Sequence, residues 1–81
     1  MRLPRDLSGR ALVAALGEPF GHRLVHQQGS HMVVQTETPR HHRIAIPDHK
    51  TLRVGTVHGI LRAVANAQDM SKDEVAARLF G

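Results

Sequence analysis

Seven histidines and no cysteine stand in a chain of 81 residues, and one of the seven, His31, follows Gly29-Ser30 at the head of an apolar run. That placement suits proton transfer on a phosphodiester. RNA carries its own nucleophile, the 2′-hydroxyl beside each phosphate. Cleaving it takes a group to remove that proton, a group to protonate the departing 5′-oxygen, and positive charge near the phosphorane between them. An imidazole, with an ordinary pKa of about 6.5, does the proton work at cellular pH without a metal. Gly29 has no side chain to keep a phosphate from the backbone, and the Ser30 hydroxyl can donate a hydrogen bond there or cap the turn. His26, His42 and His49 are candidates for a second proton carrier, and residue type does not choose among them.

The charged side chains fit the same chemistry. Eleven Lys and Arg against seven Asp and Glu leave a net charge of +4. A charge of this size is ordinary for solubility and also suits a polyanion or an acidic protein. Arg23, Arg43, Lys50 and Arg53, with Arg40, could contact phosphates. Between Arg40 and Arg53 four basic residues and three histidines fall within 14 positions. The aromatics are Phe20 and Phe80 alone. That argues against the base-stacking sheets of RNA-recognition motifs and OB-folds and favours reading of backbone and shape.

Other uses of seven histidines fit less well. Strand parity puts His22 and His26 on one face, and His41 and His42 are neighbours. Yet there is no His-Glu-x-x-His, no cysteine and no evident carboxylate partner, so neither a metal nor another cofactor is expected. The apolar run from Ala11 to Leu16 is too short for a signal peptide or a membrane span. A cytoplasmic protein without membrane contact is the expectation.

The elements that must hold these groups follow from local pattern. Ser8 reads as a helix N-cap, with Leu7 and Leu12 at the spacing of a hydrophobic staple. Leu12, Val13 and Leu16 form an apolar stripe, and Gly17 with Glu18-Pro19 predicts the stop. Residues 22–27 read as a strand, Gln28-Gly29 as a tight turn, and 31–37 as a second strand with Met32, Val34 and Thr36 on one side. That puts His31, Val33 and Gln35 on the other, open side. Thr38-Pro39-Arg40 turns the chain into a third strand, 41–46, with Ile44 and Ile46 inward, Arg43 outward and Pro47 at its end. After a loop, Val57, Ile60, Leu61 and Val64 predict a helix over 56–67, in which Gly59 would allow close packing on the sheet. Ser71 and Glu74 form a capping box for a last short helix. The fold class is α+β, one domain over 1–81. It has the α-β-β-β-α order of a double-stranded-RNA-binding domain, with a three-stranded antiparallel sheet, helices on one face, and an added C-terminal helix.

Several pieces of this chain taken together resemble the HicA family of bacterial toxin–antitoxin pairs. They are the helix start Leu7-Ser8-Gly9, Gly21 before a strand, Gly29-Ser30-His31, Ile46-Pro47-x-His49, and Gly55-Thr56-Val57-x-x-Ile60-Leu61. The resemblance implies cleavage of mRNA, a catalytic histidine at His31, and neutralisation by a cognate HicB-type antitoxin protein. Three places depart from the family pattern, one of them the terminal helix ending Leu79-Phe80-Gly81, an addition seen only in some members. His22 stands where an aromatic residue usually follows Gly21, and the loop from His49 to Leu52 is shorter than the commonest form. A different reading of the same fold is a double-stranded-RNA-binding module without catalysis; another is a module that binds only protein.

Overall fold

The computed structural model describes residues 3–81. Helix α1, Gly9–Phe20, starts at Ser8, whose extended backbone turns its Oγ to accept the Ala11 N–H at 3.0 Å. Leu12, Leu16 and Phe20 recur every four residues and are buried. The helix therefore does not stop at Gly17. It runs through Gly17, Glu18 and Pro19 and ends at Gly21, whose φ of +71° is the left-handed cap. Burying the Phe20 ring contributes about 1.5–3 kcal/mol. That offsets the ~1 kcal/mol cost of an internal glycine and part of the cost of Pro19, which in the last turn forgoes one backbone hydrogen bond.

Strands β1 (Arg23–Gln28), β2 (His31–Thr36) and β3 (His42–Pro47) form one antiparallel sheet in that order, with β2 central. Gln28 pairs with His31, so the hairpin turn is Gly29-Ser30, one residue beyond the expected Gln28-Gly29. Gly29 has φ +58° and Ser30 does not share that sign, the pattern of a two-residue turn with glycine first. On β2, Met32, Val34 and Thr36 are buried and His31, Val33 and Gln35 are not, as alternation requires. Ile46 of β3 joins them, with Ile44 packed at the margin. Strand β1 behaves differently. All six of its residues are exposed, Leu24 to 50 %, so β1 contributes no buried side chain to the core.

Helix α2, Val54–Gln68, lays Val57, Ile60, Leu61 and Val64 into the core. Gly59 lies on its exposed side with no atom within 4 Å of where a Cβ would stand. It does not serve close packing on the sheet, because the stripe that packs is 57, 60, 61 and 64. Helix α3, Lys72–Phe80, opens at Ser71, whose Oγ accepts the Glu74 N–H at 3.1 Å, and buries Val75 and Ala76. No helix among the described residues is long and apolar enough to cross a membrane.

Candidate active site

One end of the sheet is drawn tight around the β1–β2 turn. The Asp48 N–H donates to the Ser30 carbonyl at 2.6 Å, just beyond the His31–Pro47 pair that closes β2 against β3. The Gly9 N–H donates to the His49 carbonyl at 2.9 Å, and the Leu52 N–H to Leu7 at 2.7 Å. The first turn of α1 thus rests on the loop after β3. A Cβ at Gly9 would stand 1.8 Å from the Pro47 carbonyl oxygen, so only glycine lets the helix come this close. Turn, loop and helix start form one buttressed corner, and His31 is exposed at its edge.

The side chains behind the turn form a network that residue types did not announce. Arg10 grips Asp48 with two parallel bonds, Nε to Oδ1 at 3.1 Å and a terminal nitrogen to Oδ2 at 2.9 Å. The Gln27 amide donates to the same Oδ2 at 3.2 Å and lies 3.4 Å from the Gly29 carbonyl. Side chains of α1 and β1 and the residue after β3 meet at one carboxylate. The three residues are far apart in sequence, and only the fold joins them.

The sheet register orders the open face into rows. Gln28, His31 and Pro47 make the first, His26, Val33 and Ala45 the second, and Arg23, Gln35 and Arg43 the third. His31 and the two arginines therefore share a face but stand two rows apart, about 13 Å of strand rise. Gly29, Ser30 and His49 belong to the corner at the His31 end. Lys50 and Arg53 are exposed on the loop between β3 and α2, with Arg53 immediately before the helix. Of the remaining basic groups, Arg40 is paired with Asp69.

One of the candidate second proton carriers, His42, separates clearly from His31. His42 pairs with Thr36 on the helix side, at the end of the sheet away from His31, and its ring meets that of His22 edge-on at 6.0 Å. It cannot assist His31. His22 is 4 % exposed, and neither ring nitrogen has a hydrogen-bond partner. It fills the buried place next to Phe20, edge-on at 6.3 Å, as an apolar ring would. Burial lowers the His22 pKa from the ordinary histidine value, His42 beside it lowers it further, and a backbone contact with Leu16 opposes them. Burial, then His41, lowers that of His42. His26 does not share a face with His22, contrary to simple strand parity, because β1 slips register between Leu24 and His26. Among the described residues no three His, Cys, Asp or Glu side chains gather as metal ligands would.

A three-stranded antiparallel sheet backed by helices, in the order α-β-β-β-α-α, is a small α+β domain with the fold expected from the sequence. The family model for the HicA toxin of bacterial toxin–antitoxin systems matches residues 9–65, from the first residue of α1 to late in α2. The chain belongs to the HicA toxin family. Helix α3 lies beyond the match. No curated protein and no solved structure matches the chain significantly. Membership implies an antitoxin as partner in general terms.

Proposed function

We propose that this chain is the toxin of a type II toxin–antitoxin pair. It acts in the cytoplasm as a metal-independent endoribonuclease on mRNA and is held inactive by a cognate HicB-type antitoxin. His31 is its catalytic histidine. The observation that carries the reading is the setting of His31. It is exposed at the first position of β2, after a glycine turn anchored from behind, on a face that also bears Arg23 and Arg43.

In this reading the buttressed turn holds the imidazole at the scissile phosphate, and the Gly29 backbone and Ser30 hydroxyl approach a phosphate oxygen. Arg23 and Arg43 bind phosphates two rows away, and His49, Lys50 and Arg53 bind the strand where it leaves the sheet. An acidic antitoxin surface covering His31 would compete with RNA for the same arginines. The test is cleavage of RNA by the purified chain in EDTA, beside His31→Ala. A lost acid–base group costs about 10²–10⁴-fold in rate. The substitution is at an exposed site, so stability should change by no more than about 0.5 kcal/mol. RNA that is bound but left intact by both proteins would replace this reading with a binding module. Activity abolished by EDTA would refute its metal independence.

A further inference from the structure

Strand β1 carries an irregularity with a consequence for the site. Arg23 pairs with Gln35 and Leu24 with Val34, but the next matched pair is His26 with Val33. Val25 is the extra residue of a β-bulge. In an unbroken strand Arg23, Val25 and Gln27 would share the open face, and His26 would point to the helices. The bulge reverses the alternation from His26 onward, so His26 enters the open-face row with Val33 and Ala45. A shallow depression on that face is lined by His26, Val33, Arg43 and Ala45, together with Ile44. His31 stands directly opposite Gln28, which makes His26 and His31 diagonal neighbours with Cβ atoms roughly 7 Å apart. Both are exposed.

We infer that the bulge at Val25 exists to turn His26 onto the face of His31, and that His26 is the second proton carrier of the RNA-cleaving site. The inference rests on the reading of His31 given above. Two imidazoles at this separation can bracket one phosphate. The neutral one accepts the 2′-hydroxyl proton as the bond from the 2′-oxygen to phosphorus forms. The protonated one gives its proton to the 5′-oxygen as the bond from phosphorus to that oxygen breaks. The products are a 2′,3′-cyclic phosphate and a 5′-hydroxyl. The two histidines have exchanged protonation states, and nothing else is consumed. The charged groups sharing the face are Arg23 and Arg43, one row beyond His26, where they face the negative charge of the bound strand.

The remaining histidines are placed differently. His22 and His42 are on the helix side, and His41 contacts Glu37 at 3.1 Å beyond the far end of the sheet. His58 lies on α2 beside Lys72. His49 follows Pro47 into the loop whose main chain is tied to Gly9.

The test uses the full chain and two RNAs. One is an oligonucleotide cut by the wild type at a mapped position. The other is the same RNA with sulfur in place of the departing 5′-oxygen, a leaving group that needs no proton. His26→Gln should cut the first RNA about 10²–10⁴-fold more slowly, with RNA affinity changed less than about threefold. The sulfur RNA should restore the rate of whichever variant, His26→Gln or His31→Gln, has lost the acid. If His31→Gln is inactive while His26→Gln cuts within a few-fold of the wild type, this inference alone falls. Rescue seen with His49→Gln in place of both would also overturn it. A wild-type chain that leaves RNA intact removes the nuclease reading, and this inference with it.

Discussion

Replacing Gly9 by alanine tests whether the helix start and the site are one mechanical unit. The added Cβ would lie 1.8 Å from the Pro47 carbonyl oxygen and 2.9 Å from its carbon, both backbone atoms that cannot rotate away. Since Cβ contacts under 3.0 Å essentially do not occur, α1 or the end of β3 must retreat by more than an ångström. Overpacking of this kind costs about 1–3 kcal/mol. The Gly9–His49 backbone bond lies in the path of the retreat, and its loss would add about 1 kcal/mol. Alanine returns up to ~1 kcal/mol through helix propensity. The net is a loss of about 2 kcal/mol, which for a domain of this size lowers Tm by roughly 8–16 °C. Gly59→Ala is the control with opposite sign. Its Cβ meets open space in the middle of α2, so the same substitution should stabilise by about 0.5–1 kcal/mol. Urea titrations followed by far-ultraviolet circular dichroism read both. A Gly9→Ala protein as stable as the wild type would refute the close-approach argument.

Other perturbations have equally definite signs. His22 is buried with a lowered pKa, so the unfolded chain takes up the proton first; the urea midpoint should fall as pH drops through about 6.5 and keep falling until the folded protein also protonates. His22→Phe should raise the midpoint and flatten part of that slope, leaving the share due to His42, and an unchanged slope would remove His22 as the cause. Asp48→Asn breaks the two-pronged contact with Arg10, but with the Arg10 side chain 71 % exposed the loss should stay within about 1 kcal/mol in a denaturation curve. If Arg23 and Arg43 bind phosphates, replacing either by glutamine should lower the slope of log affinity against log salt by about 0.7 for single-stranded RNA, measured by titration at several salt concentrations. An unchanged slope would return that arginine to the solvated surface.

What the sequence made legible was local. The caps at Ser8 and Ser71 depend on a hydroxyl and an amide three residues apart, and both are as expected. The alternation of Met32, Val34 and Thr36 depends on one strand with a single buried face, and it holds. What stayed hidden was decided by distant partners. Gly17 and Pro19 read as a helix stop, yet the pocket awaiting Phe20 carries the helix past them. Gly59 read as a packing glycine, yet the residue that needs to be glycine for contact is Gly9, because Pro47 lies against it. The Arg10–Asp48–Gln27 network and the tie from Asp48 to Ser30 join positions with no sequence relation. Of the candidate site residues, Gly29 could be assigned to a turn, and His31 and Arg43 to the open face, from pattern alone. The place of Ser30 in the turn and the face of Arg23 came from the strand register, as did the face of His26.

The reason His26 was illegible also bears on how the site is built. Pattern reveals a bulge when it shifts a buried residue out of phase, and β1 buries none. A strand bound into the core on one face has its register fixed, since a slip of one residue would expose every apolar side chain. Strand β2 is in that position: Val34 is 0 % exposed, and the alternate residues supply His31 to the open face. Strand β1 is held by its ladder to β2 and by the Gln27 contact with Asp48, so an extra residue costs it little hydrophobic burial. Its freedom from the core is what lets it re-aim a side chain. In the proposed site the rigid strand thus supplies His31, whose position packing fixes, and the edge strand supplies His26, whose direction a local irregularity sets.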